Sequence, residues 1–452
     1  MAKTSVVNGI HNYTAPDEYI KPIEKPVQEH LEWFMDQKLG LMMHWAPGCQ
    51  LGTYESWPLS DGDGSWSQED FTWADIETCK QQYRDANKTF NPIKFNPTDW
   101  AELAFQCGFK YLLFTSKHHD GFCMFDTKTT EYKITSSDCP FHINKNANIV
   151  EALFREFRKK GLGISLYFSK PDWHSPFYWA PQFGPAPTRN VNYDIKTHPD
   201  LWEQYVSFTH EQLRELLNNY GKIDVLWLDG GWVRPDNQYQ DIQLEKIIGE
   251  IRSTSQPHLI VCDRTCGGKF ENVITPEKTV PESPIDVPWE TCTTVGDKFS
   301  FHYTDNFKSG HQLVLLLLDV VSKGGNLALN VAPQPDGLLP APAIRSLQDL
   351  GLWLKIFGEG IYGTRSCAPF FEGQLFFTKK GNTIYLFYAY KDIPYLPSQI
   401  SFPCEFPIKE ITNIRAHIPV HFRQQGNAVT LFTNSIPLGG AFYAEGFRLV
   451  LS

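Results

Sequence analysis

From Leu39 onward the chain alternates short apolar runs with longer amphipathic stretches. The apolar runs are GLMMH (residues 40 to 44), KYLLFTS (110 to 116), LGISLYFS (162 to 169), DVLWLD (224 to 229), HLIVCDR (258 to 264) and GNLALNVAP (325 to 333). Between them, apolar residues recur at helical spacing over 98–106, 149–160, 199–219, 243–253 and 311–322. Strand-length runs alternating with amphipathic helices predict parallel strands joined by crossover helices. A helix over 29–37 precedes the series, and the polar, Pro-containing residues 1 to about 30 read as an arm laid over the surface.

Beyond residue 365 the texture changes. GQLFFTKKGNTIYLFYAY, IRAHIPVHFRQQGNAVTLFT and FYAEGFRLVLS alternate with period two, and Gly-Asn turns interrupt the first two. That is the pattern of antiparallel strands with one face buried. The expected fold class is therefore α/β: a (β/α)8-like, TIM-type barrel with its N-terminal arm over 1–365, then a C-terminal antiparallel β-sandwich over 366–452. The sandwich carries no cluster of carboxylates or histidines, so it is expected to be a structural appendage. A carbohydrate-binding role is the alternative.

Each apolar run in the first part ends on residues able to do chemistry. His44 closes the first, His118 and His119 follow the second, Tyr167 and Ser169 close the third, Asp229 the fourth and Arg264 the fifth. In a β/α barrel the C-terminal strand ends surround one pocket, so residues dispersed in sequence would converge there. A doubly wound sheet would gather fewer of them, and no GxGxxG loop follows any run. Asp229 carries the most information, because a carboxylate ending a strongly apolar strand is costly to bury unless the site uses it. Gly230 and Gly231 are expected to leave space beside it. An N-cap for a following helix is the plainer reading, although Gly-Gly-Trp is a poor helix start.

His118 and His119 are adjacent, so a regular strand would point them to opposite faces and they could not readily grip one metal. Donating to ligand hydroxyls suits them better. A metal-dependent hydrolase using His44, His118, His119 and His174 remains the rival on the same barrel.

Composition narrows the partners. Aromatic residues make up 14% of the chain, more than folding alone tends to require, and flat apolar faces suit sugar rings. The formal charge of −10, with no basic stripe, argues against nucleic acid. The longest apolar run, 313–321, is interrupted by Asp319 and falls short of the roughly 20 residues a membrane span requires, so no membrane partner is expected. Ten cysteines with no CxxC pair form neither a zinc site nor a disulfide framework. The N-terminus lacks a basic start and apolar run, so a cytoplasmic location is expected, with a trimmed secreted or periplasmic form as the alternative. Homo-oligomerisation is left open.

The strings GLMMHW, KHHDGFCMFD, VLWLDGG, the pair Asp263-Arg264, PWETC (288 to 292), GGNLALNVAPQPDG and GEGIYGTR resemble, in order, motifs of α-L-fucosidases of glycoside hydrolase family 29. The resemblance spans residues 40 to 365. It implies a distorted β/α barrel followed by a β-sandwich, and cleavage of terminal α-L-fucose from a glycan with retention, through a fucosyl-enzyme intermediate and without metal or cofactor. It makes Asp229 the nucleophile, with Trp227 shaping the sugar site and His44, His118, His119, Tyr167 and Arg264 holding the fucose. Glu55 and Trp57 resemble the family's Glu-Trp fucose contact, although here Ser56 stands between them. Phe301 stands where the family usually has Trp.

A retaining mechanism needs a second carboxyl about 5 to 5.5 Å from the nucleophile. Glu277, in ENVITPEK, resembles the TPE element of members that favour branched α-1,3 and α-1,4 fucosides, and it is the expected acid/base. Glu290 in PWETC is the runner-up, and Glu282 lies between them. An inverting glycosidase and a non-catalytic fucose-binding protein are the remaining alternatives. The segment 59–73 is expected to form a loop around the leaving group.

Overall fold

The computed structural model describes residues 4–7, 11–390, 395–437 and 443–452. Parts of the expected arm, residues 1–3 and 8–10, and Phe442 at the head of the last period-two run lie outside the described residues.

The chain opens with an antiparallel hairpin, β1 (Thr4–Val7) and β2 (His11–Thr14), followed by α1 (Lys25–Gln37). Then come β3 (Leu39–Met43), α2 (Ile76–Arg84), α3 (Pro97–Gln106), β4 (Tyr111–Lys117), α4 (Ile149–Lys159), β5 (Gly163–Ser169) and α5 (Pro199–Asn219). The series continues through β6 (Val225–Asp229), α6 (Leu244–Thr254), β7 (Ile260–Asp263), β8 (Glu290–Thr294), α7 (Gly310–Ser322), β9 (Asn326–Asn330) and α8 (Ala341–Phe357). The seven strands β3 to β9 form one sheet in the order β7-β6-β5-β4-β3-β9-β8, with every pair parallel.

An irregular segment, residues 270–278, bridges the two edges of this curled sheet. Its Asn272 amide donates to the Val261 carbonyl of β7, while on its other side the Glu290 amide of β8 donates to the Ile274 carbonyl and the Lys278 amide to the Cys292 carbonyl. The barrel thus has seven regular strands and one distorted stave. The N-terminal arm buttresses that stave: Thr14 Oγ1 donates to Glu271 at 2.6 Å and the Tyr19 hydroxyl to the Asn272 carbonyl at 3.0 Å.

Strand residues alternate between two packed layers, as period two demands. Met42, Leu113, Tyr167, Val225, Trp227, Ile260, Cys292 and Ala328 fill the barrel interior, which Val27, Leu31 and Phe34 of α1 close from one end. Leu41, Leu112, Leu166, Leu226, Val261 and Leu327 face outward into the core shared with the helices. All ten cysteines are unpaired. Among the described residues, no helix is long and apolar enough to cross a membrane.

After α8 come β10 (Arg365–Glu372), β11 (Leu375–Lys380), β12 (Thr383–Ala389), β13 (Gln399–Pro403), β14 (Ile408–Asn413), β15 (Ile418–Pro419), β16 (Phe422–Gln425), β17 (Ala428–Phe432) and β18 (Ala444–Leu451). They make a six-stranded sheet, β10-β11-β12-β18-β14-β15, and a three-stranded sheet, β13-β17-β16. Phe377, Leu386, Phe447 and Leu449 of the first pack with Ile400, Phe402, Val429 and Leu431 of the second. The other face of the larger sheet rests on α8, where Trp353 Nε1 donates to the Ala444 carbonyl at 3.0 Å.

The barrel interior leaves little tolerance for extra volume. A Cβ built on Gly40 would lie 2.2 Å from the Tyr111 ring, whose hydroxyl is bound to the buried Glu290. Gly40→Ala should therefore destabilise the barrel by about 1–3 kcal/mol through overpacking, seen as a lower thermal midpoint. An unchanged midpoint would mean that the ring can move at no cost.

Candidate active site

Because the barrel strands are parallel, their C-terminal ends open onto one mouth. The mouth gathers His44 after β3, His118 and His119 after β4, Tyr167 of β5, Asp229 at the end of β6, Arg264 after β7 and Asn330 at the end of β9. The rings interlock: His44 lies 5.6 Å from His118 and 5.3 Å from Tyr167, His118 stacks on Tyr167, and Tyr167 stacks on Trp227 at 5.3 Å.

Arg264 joins two carboxylates. Its Nη1 donates to Asp229 Oδ1 and its Nη2 to Glu277 Oε2, both at 2.8 Å. The TPE element explains how Glu277 arrives there: alternate residues of an extended segment share a face, so Thr275 accepts from Arg264 Nε at 3.2 Å while Glu277 meets the same guanidinium. Arg264 also lies over the Trp227 ring, 4.2 Å from its centroid.

The other oxygen of Asp229 accepts the Tyr167 hydroxyl at 2.6 Å and lies 3.7 Å from His119 Nε2. Burial alone would raise the Asp229 pKa. The Arg264 charge, aided by the Tyr167 hydrogen bond, outweighs it and holds the carboxyl far below the ordinary carboxylate range. Asp229 is therefore an ionised carboxylate in a nearly dry site. Gly230 and Gly231 do not leave open space beside it. A Cβ at Gly230, whose φ is +89°, would strike Pro171 at 2.3 Å, and one at Gly231 would strike Thr265 Oγ1 at 2.0 Å. The two glycines let neighbouring loops close against the strand end.

The histidines are buried and neutral. Burial pushes both His44 and His119 down to about 4, and His118 lower than its usual range. Partners fix two of the tautomers. Asn330 Nδ2 donates to the Phe299 carbonyl at 2.8 Å, so its Oδ1 faces His44 and accepts from Nδ1–H at 3.0 Å. Ser169 donates to the Pro171 carbonyl, so it accepts from His119 Nδ1–H at 2.7 Å. In both rings Nε2 is left as a lone-pair acceptor.

Trp57 reaches the site as an edge against His119 at 5.5 Å, and with Trp173 and Trp232 it forms an aromatic wall. Glu55 accepts the Ser300 amide, and burial pushes its pKa up to about 7. Glu290 is 1% exposed and lies beneath the mouth, where it accepts from the Tyr111 hydroxyl and, at 3.1 Å, from Trp227 Nε1. Glu282 is exposed. Phe301 packs on Tyr303, and the aromatic beside His44 is Phe299, at 4.9 Å. Sequence reasoning passed over Phe299, Asn330, Trp173 and Trp232. Asn330 at the end of an apolar strand carried the same signal as Asp229.

The four-histidine metal reading does not form, because His174 stacks on Tyr132 at 4.0 Å instead. His118, His119 and Asp229 offer ligand atoms within 4.8 Å of one another. However, both oxygens of Asp229 already accept hydrogen bonds, and the guanidinium already supplies positive charge there. The ring nitrogens, the paired carboxylates and the tryptophan wall together suit a small polyhydroxylated ligand with one apolar edge.

The profile of the family described as Alpha-L-fucosidase matches residues 7–359. The tissue alpha-L-fucosidase of Macaca fascicularis is 28% identical over 376 residues, covering 79% of this chain and 75% of the relative. The Thermotoga maritima alpha-fucosidase solved with a mechanism-based inhibitor superposes with a TM-score of 0.74 at 25% identity, covering 96% of this chain and all of that one (100%). The alpha-L-fucosidase isoenzyme 1 of Paenibacillus thiaminolyticus gives a TM-score of 0.77 at 24% identity, over 95% of this chain and 100% of that one. The chain belongs to the α-L-fucosidase family, glycoside hydrolase family 29, and is an α-L-fucosidase acting on fucosylated glycans.

Proposed function

We propose that this enzyme releases terminal α-L-fucose with retention of configuration, using Asp229 as nucleophile and Glu277 as acid/base. The observation that carries the reading is the single guanidinium of Arg264 shared between those two carboxylates. Two carboxyl groups on neighbouring nitrogens of one guanidinium form a compact pair, as the ~5–5.5 Å spacing of a retaining mechanism requires. Asp229 attacks the anomeric carbon as the glycosidic bond breaks, and Glu277 gives a proton to the departing oxygen. Water then attacks the fucosyl ester from the vacated side, losing its proton to Glu277 and freeing Asp229. Each step conserves charge without a metal or an organic cofactor.

His44, His118, His119, Glu55, Trp57, Tyr167, Trp227 and Arg264 surround the place the sugar would occupy. Phe299 offers an apolar surface suited to the methyl of a 6-deoxy sugar. Glu290 is engaged by Tyr111 and Trp227, which favours a supporting role for it beneath the site. The TPE element inclines the linkage preference to α-1,3 and α-1,4. Trp66 of the 59–73 segment, 53% exposed and 6.2 Å from Trp57, extends the wall outward to where a leaving group would rest.

Two sets of measurements test this reading, the first on substrates and variants. On α-1,2, α-1,3, α-1,4 and α-1,6 fucosylated oligosaccharides, the wild type should turn over the 1,3 and 1,4 isomers fastest. Asp229→Ala should lose about 10,000-fold or more in kcat. Glu277→Ala should lose about 100- to 10,000-fold and regain activity with azide. Rescue of Glu290→Ala alone would reverse the assignment of the acid/base.

The second concerns pH. His44 and His119 are held at about 4, below the ordinary imidazole value, so falling pH converts their Nε2 acceptors into donors only near pH 4. The acid limb of kcat/KM attributable to them should therefore lie near 4. Imidazole resonances of His44 and His119 that titrate near 6.5, with the fold intact, would show that they are not buried in the neutral form.

A further inference from the structure

Between Glu55 and Trp57 stands Ser56, in hydrogen-bond contact with His118. Ser56 is fully buried at 0% exposure, and its Oγ accepts the Asp120 amide at 2.8 Å and lies 2.6 Å from His118 Nδ1. A buried hydroxyl has one proton to place, and leaving it without an acceptor is costly. Among the described residues, the only acceptor within hydrogen-bond reach of that hydroxyl is His118 Nδ1. Were Nδ1 to carry the proton, Ser56 would accept twice and its own O–H would be stranded. Ser56 therefore donates to Nδ1, and the opposite nitrogen of His118 carries the hydrogen.

His118 is then the reverse of its neighbours. His44 is held by an amide oxygen and His119 by a serine whose proton goes elsewhere, so both present lone pairs at Nε2. We propose that Ser56 is a positioning residue that sets His118 as a hydrogen-bond donor between two acceptor histidines, so that the mouth reads the fucose hydroxyls in an acceptor, donor, acceptor order. The rings are close enough to act on adjoining hydroxyls of one sugar, with His118 centred 4.1 Å from His119 and 5.6 Å from His44. Each hydroxyl can accept from one group and donate to the next, and a sugar that breaks the order leaves a buried polar atom unpaired.

The inference rests on the reading that fucose occupies this mouth, and one series separates the two. Competitive inhibition constants are measured on the wild-type enzyme for fucose and for its 2-, 3- and 4-deoxy and deoxyfluoro analogues. Fluorine accepts a hydrogen bond and cannot donate one. At the hydroxyl read by His118, fluorine should retain more affinity than hydrogen does; at those read by His44 and His119, fluorine should do no better than hydrogen. A series in which fluorine never outperforms hydrogen overturns the donor assignment, whereas failure of fucose itself to compete overturns the location of the sugar. Ser56→Ala should weaken fucose about tenfold, and Ser56→Thr, which keeps the hydroxyl, should restore it. Nitrogen-15 spectra of histidine-labelled enzyme should show His118 protonated at Nε2 in the wild type, and an Nδ1-protonated His118 would contradict the proposal.

Discussion

The guanidinium of Arg264 is a cation taken out of water, and burying it without partners would cost several kcal/mol. Asp229 and Glu277 offset that cost, and each gains a defined place in return. Asp229 comes from a regular strand, Arg264 from the end of the next, and Glu277 from the distorted stave that joins the sheet edges. One ion cluster thus fixes the relative positions of three chain segments. Beneath it, the Trp227 ring supports the guanidinium, Glu290 anchors the Trp227 indole, and Tyr111 anchors Glu290. The chemistry at the mouth depends on how the barrel interior is packed.

The same cluster gives the proposed reaction its electrical logic. In the proposed reaction Asp229 loses its charge when sugar esterifies it, and the guanidinium of Arg264 stays in contact with Glu277, the group proposed to activate water. Around this pair stand neutral imidazoles, proposed to read the sugar hydroxyls, and the aromatic faces of Trp57, Trp173 and Trp232. Low local polarity strengthens every one of these contacts.

What the sequence revealed and what it hid have physical causes. Asp229 stood out because a carboxylate ends the apolar strand VLWLD, and the paired histidines because they close another. Six of the seven barrel strands were legible as apolar runs, but β8 reads Glu-Thr-Cys-Thr-Thr and owes its place to pairing with β9 rather than to hydrophobic pattern. The stave has no periodicity to detect, since its bonds run to two different strands. The glycines after Asp229 were visible, yet their use in close loop packing depends on Pro171 and Thr265, which are distant in sequence. Ser56, Ser169 and Asn330 matter through the protons they give or withhold, and composition carries no trace of that.

The proposed mechanism requires Asp229 to form a covalent bond to the sugar at this mouth. Incubation with 2-deoxy-2-fluoro-α-L-fucosyl fluoride followed by peptide mass spectrometry should therefore yield one fluorofucosyl adduct, carried by Asp229. Complete turnover of the reagent with no adduct, or an adduct on any other carboxylate, would contradict that mechanism.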